Sequence, residues 1–74
     1  MPRGLSNWSA GEVIRFLKKH GFTQVHTRGS HFYYRKGKGA LVCIPVHAKG
    51  GILHPKTMKS IVRQAGIPLE EWVP

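Results

Sequence analysis

Apolar residues recur with helical spacing between Ser9 and His20. Ala10, Val13, Ile14 and Leu17 form one stripe, with Phe16 beside it. Ser9 and Glu12 make an S-x-x-E capping box, in which each side chain can satisfy an orphan amide of the first turn. Trp8 precedes the cap, where it can staple onto Val13. Lys18, Lys19 and His20 suit the negative end of the helix dipole. Gly21 supplies a left-handed stop. These signals predict a helix over Ser9 to His20. The period then shortens. Phe22 to Thr27 reads as a first strand, Arg28-Gly29-Ser30 as a turn, His31 to Arg35 as an aromatic second strand, and Ala40 to Val46 as a third. "KGKG" before the third strand has hairpin-loop length. Pro45 puts the end of the third strand at a sheet edge or past the ladder.

Alternation assigns the faces of the second strand. Phe32 and Tyr34 make the better core pair, so His31, Tyr33 and Arg35 project outward together. Cys43, in the middle of an apolar strand, reads as core. "HAKGGIL" is a flexible connection. A second helix follows, with Pro55 at its first position and Met58, Ile61, Val62 and Ala65 at i, i+3, i+4, i+7. Gly66 ends it, and "LEEW" makes one more turn that docks Trp72. The order is α-β-β-β-α. This is an α+β fold, a three-stranded antiparallel sheet with both helices on one face. The chain of 74 residues reads as a single domain, 1–74, with a core over 9–67 and a short C-terminal tail over 68–74.

Composition narrows the function. One cysteine cannot form an internal disulfide, and no apolar run approaches the roughly 20 residues of a membrane span. The N-terminus lacks the apolar core of a signal peptide. A soluble cytoplasmic protein is expected. Twelve Lys and Arg face three acids, a formal charge of +9. Such an imbalance in so small a domain marks a polyanion-binding surface, with nucleic acid the first reading and an acidic protein partner a compatible second.

Five histidines stand at positions 20, 26, 31, 47 and 54. His20 fits a helix C-terminus. His54 starts the second helix, as a structural residue or a phosphate contact. His26 is open to either reading. His31 is different, because it shares its face with a phenol and a guanidinium. An imidazole titrates near neutral pH and can move a proton. A guanidinium can grip a phosphate with two hydrogen bonds. The trio suits RNA, whose 2′-hydroxyl is a built-in nucleophile. Cys43-x-x-x-His47 offers two metal ligands where structural zinc needs four, so no metal or other cofactor is expected. No carboxylate pair, Walker loop or dinucleotide fingerprint is present.

The order of motifs resembles a known family. A helix ending in "KKHGF" is followed by "GSH" and an aromatic strand, then "IPVH", then "MKSIVRQAGI". Together, at this spacing, these are similar to the HicA family of toxin–antitoxin ribonucleases, or mRNA interferases, over roughly Ser9 to Ile67. The resemblance implies a double-stranded-RNA-binding-like α-β-β-β-α fold. It implies that His31 is the catalytic residue of a metal-independent endoribonuclease that cuts mRNA and blocks translation. It also implies a HicB-type antitoxin partner, which the basic surface would require to be acidic. Ser30, Tyr33 and His47 are auxiliary candidates; His47 aligns with a second family histidine, and a loop-structural role stays open beside a functional one. Arg28, Arg35, Lys36, Lys49 and Lys59 are the candidates for RNA binding and for stabilising the charged phosphorane. His31 would act as general base or acid in attack by the 2′-hydroxyl, leaving a 2′,3′-cyclic phosphate and a 5′-hydroxyl. The rival readings are a non-catalytic RNA-binding module of the same fold and a protein-binding adaptor that uses its basic face.

Overall fold

In the computed structural model, which describes residues 4–46 and 51–73, the capping box forms as expected. Ser9 Oγ accepts from Glu12 N at 3.2 Å, and Glu12 Oε1 accepts from Ser9 N at 3.0 Å. Helix α1 (Ala10–Lys19) starts there and ends at the C-cap His20. Ala10, Val13 and Leu17 are buried. Trp8 is buried too, its ring edge-on to both Phe16 and Trp72.

Three antiparallel strands follow in the order β1-β2-β3: β1 (Thr23–Arg28), β2 (His31–Arg35) and β3 (Val42–Pro45). β1 runs one residue further than Thr27, because the connecting turn is only Gly29-Ser30. Gly29 has φ +58° in the first central position of that turn, where type II′ hairpins place glycine. A Cβ at Gly29 would meet no atom within 4 Å, so the glycine answers to backbone conformation and not to crowding. β3 is shorter than the apolar run from Ala40 to Val46. Ala40 and Leu41 lie outside it and are exposed. Pro45 is tolerated because β3 is an edge strand, whose outward amides need no strand partner. One such outward amide, Cys43 N, is satisfied instead by Gln64 Oε1 at 3.0 Å.

Helix α2 (Pro55–Ala65) begins at Pro55, as the sequence predicts. Its N-cap is His54, whose Nδ1 accepts from Lys56 N at 3.1 Å. Gly66 closes the helix in the left-handed region, φ +69°. The short α3 (Leu69–Trp72) then buries Trp72, which stacks on Phe16 with ring centroids 4.0 Å apart.

The core lies between the helices and one face of the sheet. Val13 and Leu17 of α1, Met58 and Ile61 of α2, and Tyr34, Val42 and Ile44 of the sheet are all buried. Each fully buried aliphatic side chain of this set contributes about 1.5–3 kcal/mol relative to exposure. Both helices therefore cover the Phe32/Tyr34 face. β1 escapes that cover, and all six of its residues are exposed. No described helix is long and apolar enough to cross a membrane.

A candidate active site on the open sheet face

The Gly29-Ser30 turn decides what stands beside His31. A two-residue loop makes its flanking residues a cross-strand pair, so Arg28 lies directly opposite His31. Counting back from the turn, Thr27 opposes Phe32 and His26 opposes Tyr33. The register then slips between Gln24 and His26, leaving Val25 as the extra residue of a β-bulge. Beyond it Gln24 opposes Tyr34 and Thr23 opposes Arg35. β3 continues the rungs, with Pro45 opposite His31, Ile44 opposite Phe32, Cys43 opposite Tyr33 and Val42 opposite Tyr34.

Opposed residues share a face, and Phe32, Tyr34, Val42 and Ile44 face the helices. The other face therefore carries the rungs Arg28–His31–Pro45 and His26–Tyr33–Cys43, with Thr23–Arg35 beyond them. His31 is exposed, and Tyr33 and Arg35 are half-buried. The His26 and Tyr33 rings lie 5.5 Å apart. Two imidazoles, a phenol, a thiol and two guanidiniums thus share one uncovered surface.

Arg28, a candidate for RNA binding, and His26, open to either reading, both stand on this face. Counting forward from Phe22 with strict alternation puts His26 and Arg28 on the same side as Gln24, beneath the helices. The bulge at Val25 reverses that. The usable signal was the two-residue turn, because counting back from it places both residues correctly. Cys43 corrects an expectation. It lies on the open face, half-buried, opposite Tyr33, while its neighbours Val42 and Ile44 fill the core. An unbroken apolar run such as that from Leu41 to Ile44 carries no alternation from which to read its face.

The electrostatics follow from this arrangement. Hydrogen bonding to Cys43 pushes the Tyr33 phenol above its usual value, helped by the charge of the same thiol and by partial burial, while Arg28 pulls the other way. The phenol therefore keeps its proton at neutral pH and acts there as a hydrogen-bond donor. Arg35 Nε is buried with no hydrogen-bond partner among the described residues. A donor left in that condition on an otherwise cationic face suits an anionic oxygen. No carboxylate shares the face. Glu12 serves the capping box, and Glu70 and Glu71 lie in α3.

The other candidates fall elsewhere. Ser30 is in the turn, half-buried, and its carbonyl accepts from Val46 N at 2.7 Å, tying the turn to the end of β3. Lys36 follows Arg35 at the far end of β2, and its aliphatic stem lies against Gly21 at the C-terminus of α1. There it borders a cavity of about 260 Å³ lined also by His20, Phe22 and Ile67, at the opposite end of β2 from His31. Lys59 is exposed on α2, in the layer behind the sheet. His47 and Lys49 lie outside the described residues. Among those residues no three His, Cys, Asp or Glu converge to hold a metal ion.

A family model described as the HicA toxin of bacterial toxin–antitoxin matches residues 10–67, which is more than half of the chain. No curated protein matches it. The matched span runs from the first residue of α1 through the residue after the Gly66 cap, so it takes in the whole sheet and both long helices. On that match, the chain belongs to the HicA family of toxins from bacterial toxin–antitoxin systems.

Proposed function

We propose that this toxin is a metal-independent endoribonuclease that cuts mRNA in the cytoplasm, with His31 moving the proton of the attacking 2′-hydroxyl. The observation that carries the reading is the exposed His31 on an open, acid-free sheet face, flanked by Arg28 across the rung and by Tyr33 and Arg35 along its own strand. His31 removes the proton from the 2′-hydroxyl. The oxygen attacks the adjacent phosphorus, and the bond to the 5′-oxygen breaks. The products are a 2′,3′-cyclic phosphate and a 5′-hydroxyl. Arg28 and Arg35 counter the charge that builds on the phosphorane, as donors fixed on the same face. The Tyr33 phenol, which holds its proton, positions a phosphate oxygen or stacks on a base. Acid–base help from one such group contributes about 10²–10⁴-fold. The chain would work as one catalytic unit and need no cofactor.

Family membership implies an antitoxin partner. We take it to be a HicB-type protein, acidic enough to meet a surface of net charge +9.

The test is cleavage of a defined RNA by the purified chain in excess EDTA, alongside a His31→Ala variant. The wild type should cut and leave cyclic phosphate ends. The variant should bind the RNA with similar affinity and not cut it. Equal cutting by a folded His31→Ala variant sinks the assignment, and binding without cleavage by the wild type leaves the non-catalytic RNA-binding module.

A further inference from the structure

Breaking an RNA strand by its own 2′-hydroxyl is a two-proton problem. One group must take the proton from the nucleophile, and another must protonate the departing 5′-oxygen. A single histidine cannot be in both protonation states during one displacement. The second group must lie on the same face as His31, within reach of the same phosphate.

Few side chains qualify. The chain's three acids are Glu12, Glu70 and Glu71, and none is on the open face. A guanidinium does not serve as a proton donor, which sets Arg28 and Arg35 aside. Tyr33 binds its proton more tightly than an ordinary phenol, for the reasons given above. Cys43 is also a diagonal neighbour of His31, across the β2–β3 ladder, but it is engaged by that same phenol. His26 remains. It opposes Tyr33, and Arg28 opposes His31, so His26 and His31 are diagonal neighbours across the β1–β2 ladder. Diagonal positions stand roughly 7–8 Å apart at the backbone, with the side chains somewhat closer. Two imidazoles at that separation can flank one phosphate group.

The bulge strengthens the case. Strict alternation from Thr23 would turn His26 away from this face, and Val25 is the inserted residue that prevents it. Val25 is itself 48% exposed, so it gains little by burial. Its consequence is that Thr23 and Gln24 stay paired with Arg35 and Tyr34 while His26 and Arg28 keep the register set by the turn. Bulges are frequent beside active sites, where they re-aim a side chain in this way.

We propose that His26 is a second catalytic residue, the general acid that protonates the leaving 5′-oxygen while His31 acts as base. This rests on the ribonuclease reading above and extends it. The neutral His31 imidazole takes the 2′-hydroxyl proton. The O2′–P bond forms as the P–O5′ bond breaks. The His26 imidazolium gives its proton to O5′. After one turnover the two imidazoles have exchanged protonation states, and solvent resets them. Among the described residues, the charged and titratable groups facing the pair are Arg28 from β1, Tyr33 and Arg35 from β2, and Cys43 from β3.

A leaving-group experiment tests the role. Two RNA oligonucleotides differ only in the bridging 5′-atom at one linkage, oxygen in one and sulfur in the other. A thiolate departs without a proton, so it needs no general acid. On the oxygen substrate His26→Ala should be slower by about 10²–10⁴-fold, the usual contribution of one acid–base group. On the sulfur substrate it should recover to within about tenfold of the wild type, while His31→Ala stays inactive on both. The wild-type rate should be bell-shaped in pH, and His26→Ala should lose the descending alkaline limb. Equal losses by His26→Ala on both substrates would make it a structural neighbour of Tyr33 and overturn the proposal. So would an undiminished rate on the oxygen substrate. In either case the ribonuclease reading would stand. A wild type that cuts neither substrate would remove both.

Discussion

His26 and Tyr33 face each other across the β1–β2 ladder with ring centroids 5.5 Å apart, in the register that the Gly29-Ser30 turn sets. The contact records a register, since it exists only while β1 pairs with β2 as the Gly29-Ser30 turn dictates. It also joins β1, which no helix layer covers, to the strand that bears His31. A strand exposed on both sides has little apolar burial to fix its register. Here the turn at one end and a ring contact in mid-strand supply what burial does not.

Deleting Val25 should regularise the ladder and leave His26 opposite Tyr33. Deleting Thr27 instead should keep Arg28 beside the turn and shift His26 by one place, onto the helix-covered face. The Val25 deletion should therefore stay folded and keep through-space contacts between the His26 and Tyr33 ring protons by NMR. The Thr27 deletion should lose them. Identical behaviour of the two variants would show that strand register does not place His26.

The Tyr34 phenol, 1% exposed, is raised above 10.0 by burial. The folded chain thus holds this proton to a higher pH than the unfolded chain does. Its contribution to stability is fully present below about pH 10 and is lost as pH rises through the folded value. The urea midpoint should fall as pH rises above about 10, and Tyr34→Phe should flatten that fall. At neutral pH the same substitution should cost no more than about 1 kcal/mol. The hydroxyl's contact with Gln24 Oε1 is long, 3.5 Å, and supports little. A Tyr34→Phe variant with the wild-type alkaline profile would assign the effect to another group.

Binding of a non-cleavable RNA should weaken steeply with salt. Each phosphate contact on a single strand contributes a log–log slope of about −0.7 through counterion release. A face presenting Arg28 and Arg35, with further cations around it, should give a total slope of roughly −2 to −4. Arg28→Gln should reduce the slope by about 0.7 if Arg28 holds one phosphate. An affinity indifferent to salt would mean that the positive charge serves another partner.

The antitoxin should be acidic and should close the open sheet face. Up to Leu69 the only acid in the chain is Glu12, so its cationic surface has little internal counterweight. A partner rich in Asp and Glu would associate quickly through complementary potential. Tyr33 and Arg35 are the residue types on which interfaces anchor. Co-expression with the adjacent reading frame, followed by purification through a tag on one chain, should yield a complex that no longer cuts RNA. Separate elution, or a complex as active as the free chain, would rule this arrangement out.

The elements themselves were legible along the chain. The S-x-x-E box, the Met58-to-Ala65 stripe and Gly66 each act within a few residues, so their consequences needed no knowledge of the rest of the molecule. Alternation within β2 likewise assigned His31, Tyr33 and Arg35 to the open face and Tyr34 to the core. Only the tertiary structure decided the rest. Which β1 residues meet β2 depends on a turn of two residues and one extra residue at Val25. A shift of one position reverses every facing, so strict alternation counted from Phe22 would put His26 and Arg28 on the helix side, where the actual pairing does not. Cys43 went astray because an apolar run has no polar positions to mark its face, and only pairing with Tyr33 fixed it. Lys36 lies off the His31 surface, past the end of β2, where its stem lies against Gly21 at the end of α1. Local periodicity is written into consecutive side chains, whereas register and facing are settled between strands.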